Sequence, residues 1–179
     1  MARHRINVSL SHSGIENLIS QLEAYKRELN AKCVVFVERL AEVGIRTGKM
    51  NRGDYGDLIT FSKEAVMTDS GAVGRVIAYG QLVLRLRDKQ LITMDPLLMA
   101  EFGSGSEAKI LDEDVSGLKV GQGAFPGQTH AFDPDGWYYT DFETLETHHS
   151  YGETPTYPMY SAFIAMVFEV DKVAKEVFG

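Results

Sequence analysis

His130, Asp133, Asp135, His148 and His149 are the residues of this 179-residue chain whose types could do chemistry together. Imidazoles and carboxylates in one segment are the donor set of zinc and similar ions, which would make the chain a small metal-dependent hydrolase. Their spacing gives that reading little support. No His-x-x-x-His or His-Glu-x-x-His pair places two ligands on one helical face, and Asp133-Pro134-Asp135-Gly136 is equally a turn sequence. The chain is therefore expected to carry no metal and no other cofactor. Nucleophilic catalysis fares worse, because there is no Gly-x-Ser-x-Gly elbow and no Cys–His arrangement around the single Cys33. Cys33 reads as a small buried hydrophobe. Gly103-Ser104-Gly105 follows a helical segment instead of opening one, so it is no phosphate cradle. Gly121-x-Gly123 lacks the strand–turn–helix setting of a dinucleotide site.

The totals narrow the classes further. At 179 residues, 44% hydrophobic and 24% charged, the composition is that of an ordinary folded chain, expected to form one domain over 1–179. Met1-Ala2-Arg3-His4-Arg5 is a basic start with no apolar stretch behind it, so no secretory leader is expected. Tyr160 to Phe168 is the most apolar run and is far shorter than the roughly 20 residues that span a bilayer, so no membrane role is expected. The net charge of −7 is unevenly placed. Residues 1–52 carry nine Lys/Arg against five Asp/Glu, residues 53–100 five against six, and residues 101–179 four against fourteen. That balance disfavours a basic nucleic-acid-binding surface, and it gives the two ends of the chain opposite charge, so copies could attract one another end to end.

Positioning falls first to one long amphipathic helix from Ser13 to about Gly48. Ile15, Leu18, Ile19, Leu22, Tyr25, Leu29, Cys33, Phe36, Val37 and Leu40 recur at spacings of three and four. Glu23, Lys26, Arg27, Glu28, Lys32, Glu38, Arg39 and Glu42 fill the other face. Ser13 and Glu16 read as a capping box, and Gly44 or Gly48 as the stop. Leu58–Met67 and Val73–Tyr79 alternate as strands around the turn Asp69-Ser70-Gly71. Ile59, Phe61, Ala65 and Met67 take one side of the first strand. Beyond a break at Gly80, Leu82–Arg87 alternates again, for three or more antiparallel strands whose apolar face receives the Leu22, Leu29, Phe36 and Leu40 stripe. Asp95-Pro96 starts a short helix that Gly103 stops. From 103 to 157 no long period appears, but aromatics are dense; such a loop reads as an arm ordered against a partner. Short strands are expected within it at Ala108–Leu111 and Trp137–Thr140. Pro158–Val177 closes the chain as a second helix beside the first. The fold class is α+β, with both helices packed on a small antiparallel sheet and a loop-rich arm.

Two short motifs in this order carry a resemblance. Glu101-Phe102-Gly103-Ser104-Gly105 follows the strands, and Pro158-Met159-Tyr160-Ser161-Ala162 opens the last helix. The arm between them holds Asp135-Gly136-Trp137-Tyr138-Tyr139. The chain resembles the tail-completion and head–tail joining (neck, minor structural) proteins of long-tailed bacteriophages, over nearly its whole length, though with a longer and more acidic arm. The resemblance implies a non-enzymatic α+β subunit of a homo-oligomeric ring between the portal–connector (adaptor) proteins and the tail tube or tail terminator. It also implies a virion neck or tail location after assembly in the host cytoplasm, and DNA only in transit through the channel. Phe102, Trp137, Tyr138, Tyr139, Tyr157, Met159 and Tyr160 are the residues expected at subunit contacts, since large aromatics dominate contact energies.

Overall fold

The computed structural model describes residues 11–87, 90–105, 135–140 and 144–179. The expected strand Ala108–Leu111, the Gly121-x-Gly123 pair, His130 and Asp133 lie outside them. The fold is α+β: helices α1 (His12–Met50), α2 (Pro96–Phe102) and α3 (Pro158–Phe178), and strands β1 (Ile59–Thr68), β2 (Gly71–Gly80), β3 (Val83–Arg87), β4 (Gln90–Met94), β5 (Ser104–Gly105), β6 (Trp137–Thr140), β7 (Thr147–Ser150) and β8 (Gly152–Glu153). The strands form four separate two-stranded ladders, β1–β2, β3–β4, β5–β8 and β6–β7. Among the described residues a single sheet of three or more strands does not form, because the chain leaves the first hairpin at Gly80. There the backbone sits against Asp95 and Leu97, leaving no room for a Cβ, and the Gln81 N–H donates to the Leu58 carbonyl at 2.7 Å. β3 then pairs forward with β4, Val83 opposite Met94 and Arg87 opposite Gln90.

The described residues fall into two compact units. One takes in the chain up to Ile45, Ser62–Ile77 and Phe163–Gly179; the other takes in Arg46–Phe61 and Ala78–Ala162.

In the first unit α1 packs against both α3 and the β1–β2 hairpin. Phe36 and Phe178 meet with ring centroids 5.7 Å apart, and Arg39 pairs with Glu176 at 3.2 Å. Gly74 of β2 lies so close to α1 that a Cβ there would come 2.9 Å from Val37 Cβ and 3.0 Å from the Val37 carbonyl oxygen. Gly44, expected as a possible helix stop, is instead a mid-helix contact point: a Cβ would stand 2.8 Å from Met166 Sδ and 3.1 Å from Val76 Cγ2. The burial of β1 alternates from Ile59 to Ala65, as its pattern predicts, but Lys63 occupies one of the inward positions. Its ammonium bonds Glu38 at 2.8 Å and Glu42 at 2.6 Å, one helical turn apart on α1. The Glu38 and Glu42 hydrogen bonds raise the Lys63 pKa, and the Lys63 bond lowers that of Glu42. The "polar" side of α1 is thus part of its packing.

The front of α1 departs most from expectation. Its cap is Ser11, whose Oγ accepts from the Gly14 N–H at 3.1 Å. Ser13 and Glu16 form no capping box, because the helix has already begun at His12. Residues 19–29 are all exposed. Leu22 and Leu29 of the supposed core stripe are 49% and 39% exposed, and Cys33 is only half-buried. Leu29→Ala should therefore shift the melting temperature little, under about 1 kcal/mol in stability, whereas truncating a buried leucine costs about 2–5 kcal/mol. A large loss on thermal unfolding would show the stripe to be covered.

In the second unit α1 runs through Gly48 to Met50. Gly48 admits the Phe61 ring, whose nearest carbon would lie 2.5 Å from a Cβ. The end of the helix is held by side chains, Asn51 Nδ2 on the Thr47 carbonyl at 2.9 Å and Arg52 Nε on that of Lys49 at 3.0 Å. α2 starts as expected: Asp95 Oδ1 accepts from the Leu97 N–H, Pro96 takes the first position, and the Gly103 N–H closes on the Met99 carbonyl. Ile59, Pro96, Met99, Ala100, Pro158 and Ala162 form the buried centre.

Candidate subunit-contact site

The two resemblance motifs, far apart in sequence, are bonded to one another. α3 opens with Pro158 at its first position, which suits a residue without an N–H. The residue before it, Tyr157, has no side chain suited to capping the free N–H groups that follow. Glu101 supplies the cap from α2: its carboxylate accepts from the Met159 N–H at 2.7 Å and from the Tyr160 N–H at 2.9 Å. A carboxylate at a helix N-terminus also meets the positive end of the helix dipole. Burial raises the Glu101 pKa, with those two N–H bonds pulling it the other way. Alongside, the Ala100 carbonyl accepts from the Thr156 and Tyr157 N–H groups at 2.8 and 3.0 Å. Ser104–Gly105 pair with Gly152–Glu153, and the Tyr55 hydroxyl donates to the Glu153 carboxylate.

Of the expected contact residues, this junction holds Phe102 and Met159, both half-buried, and Tyr157 and Tyr160. Tyr157 has a positive φ of 54°, and its ring meets that of Tyr160 edge-on at 6.4 Å. Burial, and then the Glu101 charge, raise the Tyr157 hydroxyl pKa. Tyr160 is 47% exposed.

The other three lie on β6, which pairs with β7 so that Trp137 faces Ser150, Tyr138 faces His149 and Tyr139 faces His148. Side chains alternate along a strand, so Tyr138, His149 and Tyr151 share one face. The His149 ring lies 4.4 Å from Tyr138 and 4.6 Å from Tyr151, between centroids. Its Nε2 donates to the Asp135 carbonyl at 2.7 Å, a bond that fixes the ring. Tyr138 is 74% exposed and Tyr151 53%. The result is an exposed aromatic ladder on the β6–β7 pair. Sequence reading named Tyr138 but not His149 or Tyr151 as its partners; the signal was their i, i+2 spacing.

The same alternation bears on the metal reading. His148 and His149 are consecutive in β7, so their rings leave opposite faces and do not chelate one ion together. His148 instead approaches Glu146 at 4.0 Å. Among the described residues, no group of three or more His, Cys, Asp or Glu is placed to hold a metal ion. No described helix is long and apolar enough to cross a membrane. No protein family, curated protein or solved structure matches the chain.

Proposed function

We propose that the chain is a non-enzymatic virion subunit of a long-tailed phage, forming a neck or tail-completion ring that joins the portal–connector to the tail tube or tail terminator. The observation that carries this reading is the exposed ladder Tyr138–His149–Tyr151. Three rings stacked side by side on one face of the β6–β7 pair offer a contact surface whose arrangement is set before binding, which lowers the ordering cost of association. The bond between the two resemblance motifs supports it further. Glu101 and the first turn of α3 act as one structural unit, a reason for both motifs to occur in the same chain. Asp135, whose carbonyl accepts from His149, brings negative charge to the ladder, so a neighbouring basic surface, such as that of residues 1–52 in the next copy, complements it in a head-to-tail ring.

Mass photometry and negative-stain electron microscopy test this on the full chain, alone and mixed with connector and tail-tube proteins from the same genome. Rings that attach to the connector are expected. Tyr138→Ser should leave the melting temperature within about 0.5 kcal/mol of wild type, as for other exposed positions. It should weaken ring formation by roughly 30-fold or more, the loss typical of an aromatic contact hot spot. A chain that remains unassembled with both partners present, or a Tyr138→Ser chain that assembles normally, would remove the basis of the proposal.

A further inference from the structure

Leu145 stands in the connection from β6 to β7 with a φ of 60°. That is the left-handed region, which glycine and asparagine enter readily and a bulky side chain enters under strain. The local turn explains the backbone but not the side chain. The Glu146 N–H reaches back across Leu145 to the Thr144 hydroxyl at 3.4 Å, a bond that any residue at position 145 permits. Burial does not explain the leucine either, since it is 77% exposed. A strained backbone and an exposed apolar side chain thus meet at one residue, and neither stabilises the subunit.

We propose that Leu145 is an anchor by which one copy of the chain engages the next, its side chain entering an apolar hole on α3 of the neighbouring copy. Phe163, Met166, Val167 and Val170 stand at i, i+3, i+4 and i+7 of α3, the four positions that frame a hole for one knob of a facing element. Phe163 and Val167 are 55% and 53% exposed, and Val170 is 38% exposed. Met166 is half-buried against Gly44 and makes the floor. None of the four is charged, so the hole suits a leucine and rejects a lysine or a glutamate.

Size and continuity select a second copy as the occupant. Leu145 belongs to the same β6–β7 pair as Tyr138, so knob and ladder reach a neighbour together. Such a contact stays below about 1,200 Å² in total, the range of weak encounters, and is too small to hold two chains together for long. It becomes effective by repetition. Each copy supplies one knob and one hole, so the contact is heterologous, and identical junctions accumulate until a ring closes. The inference rests on the ring reading and extends it, because it names the surface that receives the β6–β7 pair.

Leu145→Asn is the test, because asparagine accepts a positive φ and is polar. In dilute solution the variant should melt about 2–4 °C above wild type, as strain is relieved. In sedimentation velocity of the full chain over a concentration series it should self-associate at least about tenfold more weakly, whereas Leu145→Met should keep the wild-type association. The receiving surface is read by disulfide trapping in a Cys33→Ser background. A Leu145→Cys chain mixed with a differently tagged Val167→Cys chain should give a crosslinked heterodimer, and neither chain should crosslink alone. A Leu145→Asn chain that melts no higher than wild type or associates as strongly, or a mixture without heterodimer, would overturn the inference. So would a wild-type chain that stays monomeric alone at every concentration. If that chain still forms rings with connector and tail-tube proteins, the ring reading stands and only this contact falls.

Discussion

Gly103→Ala is expected to lower the melting temperature by roughly 10 °C. Gly103 has φ +72° and ψ −167°, a region that side chains other than glycine essentially do not enter, at a cost of about 1–3 kcal/mol. Space adds to the penalty. A Cβ would come within 2.8 Å of Pro155 Cδ and closer still to the Glu153 carbonyl oxygen. That oxygen belongs to the β5–β8 ladder and cannot swing aside as a flexible side chain would. Overpacking of this kind adds about 1–3 kcal/mol, and in a chain of this size each kcal/mol moves the melting temperature by about 2–4 °C. Gly56→Ala is the control, since its φ is −44° and a Cβ there would meet only the Gly53 carbonyl oxygen, at 3.8 Å. It should be neutral within about 0.5 kcal/mol. Equal melting temperatures for the two variants would show that the turn at Gly103 is not as tight as described.

Gly103 also shows what the sequence could and could not disclose. Its role as the stop of α2 was legible, because the signal is local: Asp95, Pro96 and Gly103 bracket one short apolar run. The same holds for β6 and for the alternation of β1. The rest depends on what arrives from elsewhere in the chain. A glycine inside a helix has the same letter whether it ends the helix or admits a neighbour. Only the positions of Met166, Val76 and Phe61 show that Gly44 and Gly48 do the second. Lys63 broke the apolar side of β1, and Glu38 and Glu42 sat on the polar side of α1; neither is informative until the two elements are face to face. The front of α1 is the converse case. Its stripe was read correctly as apolar, but periodicity says only that a face wants cover, not which molecule provides it. For the contact site, aromatic density pointed to β6, while the ladder itself needed the β6–β7 register to bring His149 opposite Tyr138.

The Glu101 cap leads to the last expectation. Glu101→Ala removes both acceptors from the start of α3 and leaves the Met159 and Tyr160 N–H groups without their partner. Each lost charge-assisted bond is worth about 1.5–3 kcal/mol where water does not replace it, and Tyr160 is exposed enough for partial replacement. A net loss of about 2–3 kcal/mol is expected, roughly 5–10 °C in melting temperature. Glu101→Gln should recover part of it, because one amide oxygen still accepts while the NH₂ group faces the second N–H. The pH dependence separates charge from shape. Burial holds the folded pKa of Glu101 above its ordinary value despite the two N–H bonds. The folded state therefore binds this proton more readily than the unfolded one, and the stability so gained is complete below the unfolded pKa and lost as pH rises through the folded pKa. The wild-type advantage over Glu101→Gln should accordingly shrink between acid and neutral pH, read as the difference of their melting temperatures. If that difference grows instead, the two N–H bonds outweigh burial. The carboxylate would then be held as a preferred anion at the helix start, and its pKa would lie below the ordinary value.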